Sequence, residues 1–118
     1  TGRPKGAVLD SRALLFNALN SGHMHGFTRD DHVLTVLPLF HVGGLNIQTV
    51  PALLAGASVT LHRRFDPAAF LAECAATRPT VSLLVPAVMG ALVAHPVWSG
   101  ATLSSLRNCC KAASPPEA

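Results

Sequence analysis

Two short stretches of the chain carry residue types and spacings that could act on an anion. The first is Thr1-Gly2-Arg3-Pro4-Lys5-Gly6, a hydroxyl, two glycines and an ammonium group close together in sequence. Gly2 and Gly6 let backbone N–H groups approach a ligand, and Lys5 can meet a phosphate oxygen as a point charge. The Walker pattern differs, because there lysine is followed by Ser or Thr and a helix begins at once. The second stretch is Leu37-Pro38-Leu39-Phe40-His41-Val42-Gly43-Gly44-Leu45. It puts an imidazole between an apolar strand and a pair of glycines that open a helical pattern. In open α/β sheets, ligand groups gather where strands end and helices begin. His41 there can donate to a carboxylate or acyl phosphate, or it can be a loop histidine satisfied by backbone.

The remaining candidates are weaker. His23 and His25 are two residues apart in a glycine-containing stretch, but two ligands make no metal site, and no metal is expected. His32 and His95 should lie on the surface, and His62 with Arg63 and Arg64 should form a charged strand exit. Cys74, Cys109 and Cys110 are an odd set without zinc spacing, which argues against a disulfide framework and suits a reducing cytoplasm. Cys109 and Cys110 have no nearby base and read as buried strand residues.

These groups must be positioned by a chain of 118 residues, enough for one core. Hydrophobic residues make up 49% and charged residues 13%, about half the usual charged share. We expect an interior segment whose outer faces pack against further protein. The net charge of +3 is scattered. Without a basic stripe or aromatic platform, nucleic acid is not an expected partner. The longest apolar run, 81–94, is interrupted by Ser82, Pro86 and Gly90 and is too short for a membrane span.

Periodicity predicts a helix over 12–21, capped by Ser11 and ended by Gly22, with Leu15, Phe16 and Leu19 on its buried face. A loop over 22–31 leads to a buried strand over 33–37, stopped by Pro38. A helix over 43–55 follows, kinked or divided by Pro51 and closed by Gly56. A strand over 59–62 precedes a helix that Asp66 caps and Pro67 opens. That helix runs to about Thr77 and buries Phe70, Leu71 and Cys74. A strand over 80–85, a helix from Pro86 to about Ala94, a loop holding Trp98, and a strand over 106–110 complete the pattern. Ser114-Pro115 reads as another helix start. The order predicts an α/β layered fold, a mostly parallel sheet of about four strands with crossover helices.

The ordered pair of motifs resembles the adenylate-forming, AMP-binding superfamily, which includes acyl-CoA synthetases, aryl-CoA ligases and peptide-synthetase adenylation domains. The resemblance covers nearly the whole chain, residues 1–118, as a single fragment of the N-terminal adenylation domain. It makes residues 1–6 the second half of a phosphate loop. It assigns ATP phosphate contact to Thr1, Gly2, Lys5 and Gly6, and acid-substrate contact to His41, Gly43 and Gly44. It also places an adenine turn at Ala112 and Ala113. There Lys111-Ala112-Ala113 replaces the family's glycines and crowds the base. The implied activity is formation of an acyl-adenylate from a small carboxylic acid with ATP and Mg2+, then transfer to a thiol, with coenzyme A as co-substrate. The remainder of the same enzyme would be the chain's main partner, and the chain alone should be inactive. A piece of an amino-acid adenylation domain, or a truncated non-catalytic remnant serving as an interaction module, remains open at this point.

Overall fold

The computed structural model describes residues 2–3 and 5–111. Thr1, the expected adenine turn at Ala112 and Ala113, and the helix start at Ser114 lie outside the described residues.

Helix α1 spans Ser11–His25. Asp10, not Ser11, is its cap: the Asp10 backbone is extended, and its Oδ1 accepts from the Ala13 amide at 2.7 Å. Aspartate is as good an N-cap as serine, so the helix starts one residue early and Ser11 becomes its first turn. Gly22 does not end it either. Gly26 does, at φ 61°, a left-handed conformation that glycine adopts without a Cβ penalty. The expected buried face is also corrected. Leu15, Phe16 and Leu19 are about half exposed, whereas Ala18 is 1% exposed. The helix docks through a small residue, with Asn17 and Ser21 beside it, and not through its large apolar side chains.

Strands β1 (His32–Thr35), β2 (Ser58–Leu61), β3 (Val81–Leu84) and β4 (Asn108–Lys111) form one all-parallel sheet in the order β2-β1-β3-β4. The α/β parallel architecture expected from the sequence is therefore present. The β1–β2 ladder pairs His32 through Thr35 with Ser58 through Leu61, and the β3–β4 ladder pairs Val81 through Leu84 with Asn108 through Lys111. Between β1 and β3 one register pair forms, Val33 with Val81.

After Pro38 the chain turns and winds into a wide helical segment, Gly43–Thr49, with i→i+5 bonding such as Val50 N to Leu45 O. It tightens into α2 (Val50–Leu54), and Gly56 closes the element at φ 81°. The expected division at Pro51 thus takes the form of a change in helical winding. Proline has no amide hydrogen, so the Asn46 and Ile47 carbonyls, five and four residues before it, lose that donor. Two side chains one turn apart on α1 replace it: Asn17 Nδ2 donates to Asn46 O at 2.8 Å and Ser21 Oγ to Ile47 O at 2.6 Å.

Helix α3 (Pro67–Thr77) is capped as expected, with Asp66 Oδ1 accepting from Ala69 N at 2.8 Å, and it buries Phe70, Leu71 and Cys74. Helix α4 (Pro86–Val93) and a 3-10 turn (Pro96–Gly100) lead toward β4. His95 is half-buried and its Nδ1 accepts from Val97 N, and His32 is half-buried with Nε2 2.7 Å from Thr60 Oγ1. Neither is the plain surface residue expected. His62 lies 3.9 Å from Glu73.

Two cores flank the sheet. Leu34, Val36 and Leu84 pack with Phe70, Leu71, Cys74, Val88 and Leu92 on the α3–α4 side. Val33 and Val81 pack with Ala52 and Ala57 on the α2 side. The chain steps from β1 to β2 in one direction, and from β3 to β4 in the other. Since crossovers keep one hand, the reversal sends their helices to opposite faces.

Candidate functional site

The reversal of strand order lies between β1 and β3, and its carboxyl edge is where an open α/β sheet forms a crevice. His41 stands at that edge. It follows β1 by a turn in which His41 N donates to Pro38 O, and Leu45 N then donates to His41 O. The ring is fixed by its own turn: Gly43 N donates to His41 Nδ1 at 3.0 Å. With the Nδ1 lone pair occupied, the neutral ring carries its proton on Nε2, on an exposed residue.

The glycines beside it have different duties. A Cβ on Gly43 would stand 3.2 Å from His41 Nδ1. A Cβ on Gly44 would fall 2.6 Å from Leu37 O and 2.8 Å from the Pro38 carbonyl carbon, with Pro38 O nearer still. Gly44 therefore lets the helical segment touch the backbone that ends the strand. Its own carbonyl accepts from Thr49 Oγ1 at 2.6 Å, and Thr49 Oγ1 is 3.2 Å from Thr35 Oγ1 on β1.

Lys5 and Gly6 lie in exposed chain before α1, and Gly2 is exposed as well. Among the described residues no hydrogen bond joins them to the His41 turn. The start of α1, which follows them, can be placed. Helix α1 and the segment from Gly43 to Leu54 run side by side in one direction, since Asn17 meets Asn46, Ser21 meets Ile47, and Gly26 lines a groove with Ala55. The start of α1, and the chain just before it, thus point to the carboxyl edge of the sheet. The groove shared by α1 and α2 belongs to the opposite end and includes neither Lys5 nor His41.

That opposite, amino edge holds an ion pair that nothing in the sequence pattern singled out. Asp31, 5% exposed, takes Arg107 Nε on Oδ1 at 2.9 Å and an Arg107 terminal nitrogen on Oδ2 at 2.7 Å. Thr80 Oγ1 donates to Oδ1 at 2.6 Å and Thr28 N to Oδ2 at 2.8 Å. Arg107 also donates to the His25 and Gly26 carbonyls, at the end of α1. The Arg107 bonds, helped by Thr80 and Thr28, hold the Asp31 carboxyl far below the usual carboxylate range against the opposing effect of burial. This is a clamp on the loop side of the sheet, away from His41. An Asp near the start of one strand and an Arg 76 residues later give no sequence signal of contact.

Cys74 and Cys109 are not activated nucleophiles. Burial, with Glu73 nearby, pushes the Cys74 thiol up to about 11. Cys109 is exposed, against the expectation of a buried strand position, because β4 is the outer strand of the sheet. Among the described residues no three His, Cys, Asp or Glu side chains converge as metal ligands, and no helix is long and apolar enough to cross a membrane.

Comparison with known proteins agrees with the fold. The family model for AMP-binding enzymes matches residues 1–118. The indoleacetate–CoA ligase of Aromatoleum aromaticum is 53% identical over 107 residues, covering 91% of this chain and 21% of that protein. The feruloyl-CoA synthase of an Amycolatopsis species is 42% identical over 108 residues, covering 92% and 22%. Among solved structures, ATP-bound MatB from Rhodopseudomonas palustris superposes with a TM-score of 0.73 at 35% identity, over 81% of this chain and 19% of its own. The AMP complex of o-succinylbenzoate coenzyme A synthetase from Bacillus subtilis gives 0.81 at 28% identity, over 98% and 29%. The chain spans about a fifth of the length of the curated relatives it matches. A parallel sheet and a family match across residues 1–118 lead to one statement: the chain belongs to the AMP-binding enzyme family.

Proposed function

We propose that this chain is part of an ATP-dependent enzyme that converts a carboxylic acid into its coenzyme A thioester through an acyl-adenylate. The relatives named for indoleacetate and ferulate make an aromatic acid the first substrate class to test. ATP supplies the electrophilic α-phosphorus and the pyrophosphate leaving group, and magnesium would accompany its phosphates. Lys5 and the glycines around it would meet the phosphates, and Thr1 would join them. His41 would donate from Nε2 to the acid's carboxylate or to the acyl phosphate that forms from it. Gly43 would leave room for the acid beside the ring, whereas the open side of Gly44, expected to do the same, is filled by the Leu37 and Pro38 backbone. Lys111-Ala112-Ala113 would border the adenine. Gly2, Lys5 and Gly6 are exposed, and ordering such residues on a ligand costs about 1–2 kcal/mol per residue. We therefore expect no turnover from these residues alone.

The observation that carries the reading is the His41 turn, whose Nδ1 is held by Gly43 N at the carboxyl edge of the sheet. The test is ATP–pyrophosphate exchange in the complete enzyme with indoleacetate, ferulate, 4-coumarate and sulfoacetate. A hydrogen bond to a charged group is worth about 1.5–3 kcal/mol, so His41→Ala should lower kcat/KM for the accepted acid by about 10- to 150-fold. The KM for ATP should stay within about twofold, because that contact lies on the other substrate. A His41→Ala enzyme with the parent kcat/KM for the acid would refute the proposal.

A further inference from the structure

The opening between β1 and β3 is held by a side chain outside the two recognised motifs. After the Val33–Val81 rung, the next parallel rung would join Leu34 O to Leu83 N. Instead, Leu34 O accepts from Ser82 Oγ at 2.7 Å, and Leu83 N donates to Gln48 Oε1 at 2.9 Å. Gln48 comes from the wide helical segment that follows His41, and it is 2% exposed. Its Nε2 is buried with no partner among the described residues. A buried amide kept half-satisfied, where a plain ladder rung would satisfy both backbone groups, is at odds with packing alone.

We propose that Gln48 is a positioning residue for the His41 turn, a strut that keeps β1 and β3 apart at the strand-order reversal and fixes the segment on which the imidazole is mounted. The same segment is tied to β1 through Thr49 and to α1 through the Asn46 and Ile47 carbonyls. Gln48 supplies the tie to β3. Without it the segment keeps two anchors and loses the third, and the ring held by Gly43 N moves with it. Because the inference concerns how His41 is placed, it rests on the functional reading above.

The experiment uses the complete enzyme and two substitutions. Gln48→Met keeps the length and apolar volume but removes the acceptor for Leu83 N, whereas Gln48→Glu keeps an acceptor. Exchange kinetics are read with whichever of the four carboxylates the parent accepts, and amide hydrogen exchange is read by mass spectrometry over residues 41–49 and 81–85. Gln48→Met should raise the KM for the acid by about tenfold, with the KM for ATP within about twofold, and should speed amide exchange in both segments. Gln48→Glu should recover the acid KM to within about threefold of the parent. An unchanged acid KM with unchanged amide exchange in Gln48→Met overturns the proposal. So does an equal loss toward ATP and acid that Gln48→Glu shares, which marks a merely structural residue. If Gln48→Met does not fold, a tenfold acid KM defect in Gln48→Glu overturns it. Failure of the functional reading is separate: it shows as parent-like acid kinetics in His41→Ala, and the amide exchange still decides whether Gln48 is the strut.

Discussion

Gly44→Ala should be the most damaging single-methyl change near the site. The added Cβ would meet three backbone atoms, two of them at 2.6 and 2.8 Å and Pro38 O nearer still. Ordinary carbon contacts begin near 3.5 Å, so the strand end and the helical segment must separate by close to an ångström. Neither can yield easily. Leu37 and Pro38 continue a strand whose residues Leu34 and Thr35 are fully buried, and Gly44 O is held by Thr49 Oγ1. Overpacking of this kind costs about 1–3 kcal/mol, and the rigidity of backbone on both sides argues for the upper half, about 2–3 kcal/mol. Such a loss shifts the folding equilibrium by a factor of about 30 or more. Gly43→Ala is the control. Its Cβ would meet an imidazole nitrogen at 3.2 Å, the end of a side chain that can rotate, so its cost should stay below about 1 kcal/mol while the ring is displaced. Denaturant unfolding of the complete enzyme, followed through this domain, measures both. A Gly44→Ala midpoint equal to that of the parent, or a Gly43→Ala loss as large as that of Gly44→Ala, would refute the close-approach argument.

Two further outcomes test the parts of the fold that differ from simple pattern. Removing the Asp31 charge leaves Arg107 facing a neutral group. Breaking a buried pair costs about 3–5 kcal/mol, and the exposure of Arg107 places Asp31→Asn near the lower limit. Asp31 is depressed in the folded state, so its stabilisation is complete above the ordinary carboxylate value of about 3.9 and is lost as pH falls below it. Acid titration of unfolding should therefore show a steeper limb below about pH 4 in the parent than in Asp31→Asn. Asp10→Ala should destabilise α1 by about 1 kcal/mol and Ser11→Ala by less than about 0.5 kcal/mol, read as thermal midpoints of the same protein. The reverse order would return the cap to Ser11.

The middle of the sheet was legible because β1 and β3 are short runs of mostly buried apolar residues between helix signals, and Asp66-Pro67 marks α3 by local chemistry alone. Helix α1 was legible as an element but its bounds were not, because its cap is chosen between adjacent residues, Asp10 and Ser11, of similar capping strength. Its inward face was misread for a different reason. Periodicity finds the apolar stripe of Leu15, Phe16 and Leu19, but the backbone can approach its neighbour only over Ala18. The His41 turn was visible as a motif, and Gly44 as a glycine, yet the reason for that glycine lies in the Leu37 and Pro38 carbonyls. Gln48, Asp31 and Arg107 act through tertiary contacts with no period or spacing to announce them.

Pro51 interrupts the helical ladder, and α1 repairs it with Asn17 and Ser21. Those two bonds act like teeth of a ratchet, since a one-residue slide of α1 along its axis would unseat both together. The loop leading into α1 and the loop bearing His41 are therefore yoked. Whatever tilts one helix carries the other.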